Sequence, residues 1–220
     1  MNGWLSPGHW RSALREPGLR LLLASVLVAV AALSSVAFFA DRVERALLLQ
    51  GAALMAADLV VEQGERIPQS WSDQAAQLGL RSARMVSFPS VIIANERPVL
   101  VQVKAVEGAY PLRGRLRIDT PAGEVGRAPA AGEAWLEDRL RSRLGATIGA
   151  TVIGLGEVRL SAAGIVIDEP DRGGNLFQLA PRLMVSYSDA LASGLLGPAS
   201  RVKYRFLVAG DKQQLRAMRA

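Results

Sequence analysis

The side chains that carry out most enzyme chemistry are scarce in this sequence of 220 residues. Cysteine is absent, and the one histidine, His9, lies ahead of a long apolar run. The sequence after that run therefore lacks the residues for a nucleophile of the Ser/His/Asp or Cys/His type. It also lacks the residues for a zinc site built from histidine or cysteine. The sequence predicts no catalytic, cofactor-binding or metal-binding residue, and an enzyme would need a convergent polar pocket that no motif suggests.

A phosphate-binding loop is also missing from the sequence. The glycine pairs Gly154/Gly156 and Gly173/Gly174 lack the lysine and the strand-to-helix context that a Walker loop requires. We therefore expect no ATP hydrolysis by this chain alone.

Three carboxylates stand close together at Asp168, Glu169 and Asp171. Paired carboxylates can act as general acid and base. The adjacent Arg172 favours a salt bridge within a loop instead. We therefore do not predict a glycosidase-like site here.

The stretch around these acids holds the densest group of special residues in the chain. Pro170 fixes φ, the glycines at 173 and 174 accept positive φ, and Pro181 follows shortly after. Such a stretch is built for one defined shape, which indicates an ordered surface turn or a contact with a neighbouring subunit or domain. For the second alternative, we predict Asp171, Arg172 and Arg182 as the contact residues.

Cations alternate with apolar residues in two segments, as in half-buried strands. They are Arg113, Arg115 and Arg117 in one segment, and Arg201, Lys203 and Arg205 in the other. The alternation indicates either the solvated outer face of a sheet or a basic surface that meets lipid headgroups or a partner subunit.

The net charge of +6 comes from 26 Lys and Arg against 20 Asp and Glu. No run of five like charges occurs, and no aromatic residues alternate with a basic cluster. We predict no nucleic-acid partner, because anionic lipid headgroups fit this charge better.

An uncharged run of 20 residues from Leu21 to Ala40 determines on which side of a membrane the residues described above lie. A helix of that length spans roughly 30 Å, the thickness of a bilayer's hydrocarbon core. Cationic residues precede the run and balanced charges follow it, so the positive-inside rule places residues 1–20 in the cytoplasm and everything after Ala40 in the periplasm. A cleaved secretory signal is the alternative, but its apolar region is normally about 7 to 15 residues.

Beyond the run the pattern predicts a stalk helix over 41–57 and an α+β domain over 58–220, with two small subdomains at about 58–132 and 133–210. Glycines join the strands after Gly149 as in a small barrel-like sheet. The predicted helices are Trp71–Leu78 with Ser70 as its cap, Asp138–Leu144 ending at Gly145, a short helix after the loop of residues 169–175, and one after Asp211. The predicted strands are Asp58–Val61, Ala83–Phe88, Val91–Ala94, Val99–Val106, Thr151–Leu155, Glu157–Ser161, Ile165–Asp168 and Arg201–Leu207.

Several separate motifs resemble one family in their order along the chain. They are Phe39-Ala40-Asp41-Arg42, Phe88-Pro89-Ser90, Val103-Lys104-Ala105-Val106, Tyr110-Pro111-Leu112-Arg113-Gly114, Glu169-Pro170-Asp171-Arg172-Gly173 and Ala180-Pro181-Arg182. Together they resemble the start of an ABC transporter permease of the FtsX/MacB superfamily, in its YbbP-type branch.

The resemblance implies a first transmembrane helix with a stalk, followed by a MacB-like mixed α+β periplasmic core domain, in the bacterial inner membrane. It also implies a separate cytoplasmic ABC ATPase subunit that binds the ATP, and export or mechanotransmission of a hydrophobic or envelope compound. A second permease copy or a periplasmic esterase are further partners that it suggests.

The family needs more membrane helices than this sequence contains, so we expect the chain to be the N-terminal part of a longer permease. The alternative is a signal-anchored periplasmic binding or scaffold module that has no ATPase partner. An enzyme is a third class, without a motif in its favour.

Overall fold

The computed structural model describes residues 17–172, 180–197 and 202–219. The chain divides into two units at the boundary between residues 49 and 50. Most of the first unit is one long helix, and the second unit is a sheet-containing domain.

The long helix, α1, comprises Pro17–Met55. Proline suits its first position, because a helix offers no acceptor for the N–H group that proline lacks there. The segment Pro17–Val43 is long and apolar enough to cross a membrane, with a hydropathy of 2.5, and its most apolar window is not buried. The hydroxyl groups of Ser25 and Ser35 each donate to a carbonyl oxygen one turn earlier at 2.8 Å, so both are satisfied without water.

The sequence predicts a span and then a stalk, and the structure has one continuous helix through both. Ala56 ends the helix with a φ of 58°. Its carbonyl oxygen accepts hydrogen bonds from the backbone N–H groups of Leu112 and Arg113, at 3.0 and 2.9 Å. Ala56 and Ala57 are completely buried, so the first two residues after the helix are fixed within the second unit.

Among the described residues, the second unit contains ten strands and four short helices. The helices are α2 (Gln69–Gln77), α3 (Asp138–Leu144), α4 (Tyr187–Ala192) and α5 (Lys212–Arg219). The strands are β1 (Leu59–Gln63), β2 (Arg81–Ala94), β3 (Arg97–Val106), β4 (Arg117–Thr120), β5 (Gly123–Val125), β6 (Glu133–Glu137), β7 (Val152–Leu155), β8 (Val158–Asp168), β9 (Arg182–Ser186) and β10 (Lys203–Ala209).

All ten strands belong to one sheet, in the order β1-β10-β2-β3-β9-β6-β8-β4-β5, and β7 pairs with both β2 and β8. The strands β2, β3, β9, β6, β8 and β7 therefore close into a ring. The pairs β3–β9 and β6–β8 are parallel, and the other pairs are antiparallel. This mixed architecture after an N-terminal apolar helix confirms the predicted α+β fold class.

The division into subdomains at about residue 132 stays a prediction. In the structure, strands from both sides of that boundary, such as β3 and β9, pair directly.

Two apolar clusters lie on opposite faces of the sheet. The larger cluster includes Phe88 and Phe206, and the smaller one includes Trp135 and Tyr110. Successive residues of a strand point to opposite faces. In β3, Val103 and Ala105 thus belong to the larger cluster, while Val106 belongs to the smaller, and Lys104 shares the face of Val106.

Three local predictions are wrong. Strand β2 continues through Pro89, because its pairing with β10 stops at Ser87 and no described strand needs the missing N–H group. Helix α2 starts at Gln69 with Pro68 at the cap position, not at Trp71 after Ser70. The segments predicted as strands before and after Ala162 form the single strand β8, which carries a bulge in its pairing with β6.

The segment after the glycine-rich loop also differs from the prediction. It begins with strand β9 and only then forms the short helix α4. The parallel partner of β9 is β3, which lies far away in sequence, so the local pattern does not reveal this strand. The helix over 138–144 and its end at Gly145, with φ at 60°, are confirmed.

Candidate functional site

A network of buried charges lies where β3, the segment after β8 and the start of β9 meet. Lys104 sits in β3 directly beside Met184 of β9. Glu169 and Asp171 follow the end of β8, and Arg182 is the first residue of β9. The fold therefore brings together residues that are up to about 78 positions apart in sequence, and we call them, with Tyr110, the ion network.

The ammonium group of Lys104 is at the centre of the ion network. It donates to the hydroxyl oxygen of Tyr110 at 2.8 Å and forms ion pairs with the carboxylates of Glu169 and Asp171. Its side chain is 3% exposed. The Tyr110 hydroxyl donates to Asp171 in turn, and the ammonium lies 4.4 Å from the centre of the tyrosine ring, a cation–π geometry.

Arg182 joins this centre to a third carboxylate, Glu137. Its Nη1 lies 2.6 Å from Oε1 of Glu169, and its backbone N–H donates to Oε2 of Glu137 at 2.9 Å. Glu137 also accepts from Arg139 at 2.8 Å and pairs with Arg172 at 3.0 Å. The side chains of Arg139 and Arg172 are about half exposed, so these contacts continue from the interior to the surface.

The pKa values of two carboxylates at this site, Asp171 and Glu137, are lowered, which favours their charged forms. Burial by itself raises the pKa of Asp171, but the charge and hydrogen bond of Lys104 bring it below its ordinary value. Burial likewise opposes ionisation of Glu137, and its hydrogen bonds to Arg139 and to the backbone of Arg182 lower its pKa on balance. Burial and the charges of Asp171 and Glu169 raise the pKa of Tyr110, so its phenol stays protonated as a donor.

The centre of the network is electrically balanced, since Lys104 and Arg182 face Glu169 and Asp171. Such a buried arrangement contributes little net stability against an apolar core, but removing one member leaves an uncompensated charge. Among the described residues, Oε2 of Glu169 is buried without a hydrogen-bond partner. The ion pairs of Glu169 and Asp171 with Lys104 and Arg182 hold residues 169–171 in one position against the sheet.

The structure brings together all three residues predicted for a domain contact, Asp171, Arg172 and Arg182. They meet through Glu169, Glu137 and Lys104, which the sequence analysis did not assign to a site. The contact role itself stays a prediction. A signal for Lys104 existed, because it is the one charge within the apolar segment 99–106 that the sequence predicts as a strand.

The predicted basic surface is described in part, because Arg201 lies outside the described residues. Lys203 and Arg205 both pair with Glu62 on the adjacent strand β1, at 3.0 and 2.7 Å. Hydrogen bonds from these two cations lower the pKa of Glu62. One of the two positive charges is therefore neutralised locally, and a role in headgroup contact stays a prediction.

The cations of the other predicted segment do not form one row. Arg113 pairs with Asp58 at 2.7 Å, and Arg117 pairs with Glu124 at 2.8 Å. The apolar residues Leu112, Leu116 and Ile118 are buried, as the alternation predicts. Within the parts of the chain that the structure describes, no group of His, Cys, Asp and Glu side chains could hold a metal ion.

Comparison with known proteins identifies a relative of this chain by sequence. The chain is 36% identical over 206 residues to the uncharacterized ABC transporter permease YbbP of Escherichia coli (strain K12), and the match covers 94% of the chain. The chain is a relative of the YbbP-type ABC transporter permeases. It spans about a quarter of the length of YbbP. No protein-family model matches the chain.

Two solved domains are also similar in structure. The periplasmic region of MacB from Actinobacillus actinomycetemcomitans aligns with a TM-score of 0.49 at 11% identity, over 78% of this chain and 84% of that one. The extracellular domain of the noncanonic ABC-type transporter YknZ from Gram-positive bacteria aligns with a TM-score of 0.46 at 11% identity, over 70% and 78%.

The match to YbbP confirms the resemblance stated from the sequence motifs. By its name, YbbP is a transporter component rather than an enzyme. Together with the candidate span Pro17–Val43, this relation indicates a membrane protein.

Proposed function

We propose that the chain is the first membrane helix and the periplasmic domain of an ABC-type permease, which a separate cytoplasmic ATPase subunit drives. The match to YbbP over nearly the whole chain supports this proposal most directly. The charge difference across the apolar run supports an N-terminus in the cytoplasm and a domain in the periplasm of a bacterial inner membrane. In this proposal ATP is bound by the partner subunit, and the chain itself binds no cofactor.

We further propose that the domain responds mechanically to ATP-driven movement of α1. Two described features support such coupling. The helix is continuous to Met55, and Ala56 after it is hydrogen-bonded to the backbone of Leu112. Two residues before Leu112, the hydroxyl of Tyr110 enters the ion network.

These contacts form a chain of neighbouring residues from Ala56 through Leu112 and Tyr110 to Asp171. A two-state element that both ends influence is what the experiment must detect.

The cargo in this proposal is a hydrophobic or envelope compound, as in the family resemblance. A second permease copy and a periplasmic esterase are partners that the same resemblance suggests.

The test uses the complete permease that contains this chain, purified with its ABC ATPase and placed in lipid nanodiscs. We expect the two proteins to copurify and ATP hydrolysis to appear in the complex but not in the chain alone, because the chain has no Walker loop. The variant Tyr110→Phe should leave copurification unchanged and lower cargo release per ATP hydrolysed, whereas Tyr204→Phe should change neither.

Two results would contradict the proposal. One is a natural gene product without further membrane spans that copurifies with no ATPase, which would support the signal-anchored scaffold. The other is ATP hydrolysis by the isolated chain at a rate that follows the protein through purification.

A further inference from the structure

The domain exposes an apolar surface at the end of the β2–β3 hairpin. The exposed large hydrophobic side chains among the described residues after the candidate span are Met55, Val91, Ile93, Leu100, Val152 and Ile167. Four of these six lie together, at Val91, Ile93, Leu100 and Val152, and each is 53–57% exposed. We call these four residues, with Pro98, the hairpin face.

The pairing register places the hairpin face on one side of the sheet. Val91 lies directly opposite Leu100, and Ile93 lies opposite Pro98. Ile93 also pairs with Gly154 of β7, and Val152 is two residues from Gly154 on the same strand. Side chains at this spacing point to the same side of a sheet, while the intervening Ile92 and Ile153 are completely buried on the other side.

One cation lies at the edge of this apolar surface. Arg159 of β8 is opposite Gly154, and a Cβ atom at Gly154 would lie 3.3 Å from Nη1 of Arg159. The guanidinium group therefore covers the glycine beside Ile93. Arg159 has no ion pair among the residues that the structure describes, unlike most of the arginines of the domain.

We propose that the hairpin face is the docking surface for a partner protein that presents apolar side chains around a carboxylate. Exposed apolar patches with a polar rim mark interaction sites in soluble domains, and arginine is enriched at the centre of protein interfaces. An unpaired guanidinium at the edge of four apolar side chains is complementary to a carboxylate in an apolar setting. This proposal does not depend on coupling to an ATPase.

The charge argues against a membrane as the occupant. Attraction to anionic lipid amounts to about 1 kcal/mol per Lys or Arg near the surface, so stable binding needs several cations. The hairpin face has Arg159 alone, because Arg97 belongs to the other side of β3, where its Nη1 lies 4.0 Å from the Cβ position of Gly145.

A second copy of the chain also fits poorly. Two hairpin faces packed about a two-fold axis would bring Arg159 near its own equivalent. The surface suits a partner that adds an opposite charge and further contacts of its own.

The test is site-specific photocrosslinking in cells, in the complete permease. A photoreactive amino acid replaces Leu100 on the hairpin face or, as the control, Gln77, an exposed polar residue of α2. We expect a covalent adduct with one protein at position 100 and not at position 77. Arg159→Glu should reduce its yield about tenfold or more, since like charges at an interface are strongly unfavourable.

The decisive step is a charge exchange. Mass spectrometry identifies the partner and its contacted carboxylate, and changing that carboxylate to lysine should restore the adduct with Arg159→Glu. An adduct with phospholipid or with a second copy of the permease would overturn the proposal. So would a yield that Arg159→Glu leaves unchanged in a protein with an unaltered urea midpoint, or the absence of any adduct at position 100.

Discussion

Lys104 and Glu169 form an ion pair in which the two side chains are 3% and 1% exposed, although 65 residues separate them in sequence. Water cannot solvate these charges, so the surrounding side chains must do so. Asp171, Tyr110 and Arg182 supply that environment. The pair thus determines where the segment after β8 lies, and it does so because a misplaced segment would leave a buried charge uncompensated.

Replacement of Lys104 by methionine should destabilise the domain by about 3–5 kcal/mol, because Asp171 would lose its ion-pair partner and Glu169 one of its two cations. The measurement is the free energy of unfolding in urea. Lys203→Met is the matched control, since that side chain is 65% exposed and should change stability by at most ~1 kcal/mol. Equal effects of the two substitutions would show that the buried pair has no special energetic role.

Acid should weaken the domain through Asp171. Its folded-state pKa is below the ordinary value near 3.9, so its contribution is complete above about pH 4 and is lost as pH falls through the folded-state pKa. The free energy of unfolding should therefore decrease on acidification below that pH. Asp171→Asn should make this decrease shallower by up to one proton per molecule, and an unchanged slope would contradict the assignment.

Local sequence patterns predict much of this fold, because several elements are determined by neighbouring residues. The helix ending at Gly145 has glycine where a positive φ is needed. The turn between β2 and β3 includes Asn95, whose φ is 50°, and it falls between the predicted strands Val91–Ala94 and Val99–Val106. The apolar run is predicted as a helix because a single segment can satisfy all its own backbone hydrogen bonds in a membrane only in that form.

The remaining features depend on contacts between distant residues. Strands β6 and β9 are five residues each and pair with β8 and β3 in a way that no local period encodes. The ion network is predictable only in part. Asp171, Arg172 and Arg182 could be selected from the composition and spacing of their segment. Their link to Lys104 depends on β3 and β9 lying side by side.

Gly164 is a position where a side chain cannot be accommodated. A Cβ there would lie 2.7 Å from Cγ2 of Ile118 and 3.0 Å from Cε3 of Trp135. We expect Gly164→Ala to destabilise the domain by ~1–3 kcal/mol through overpacking. Gly108→Ala is the control, because nothing lies within 4 Å of its Cβ position, and thermal unfolding of both variants compares them. A neutral Gly164→Ala would show that β4 and β8 can separate without loss.

The basic strand can be tested as a lipid-binding surface. Changing Arg201, Lys203 and Arg205 together to glutamine should weaken sedimentation with anionic vesicles, and Glu62→Gln should strengthen it, because Glu62 neutralises part of the charge. The chain is held in neutral nanodiscs, and the urea midpoint verifies folding. If neither change alters binding, these cations form the solvated outer face that the alternation equally allows.

Membrane orientation depends on the arginines before the apolar run. Arg11, Arg15 and Arg20 oppose one acid there, Glu16, while the charges at 41–45 sum to zero, so the N-terminus should stay in the cytoplasm. Alkaline phosphatase, which is active only in the periplasm, should therefore be active when fused after Ala220. As a control, replacing the three arginines by glutamine and adding three arginines after Ala40 should reduce that activity, since the charge bias is then reversed. Activity of a cytoplasmic reporter fused to the unmodified chain would place the domain on the other side and remove the basis for a periplasmic role of the ion network.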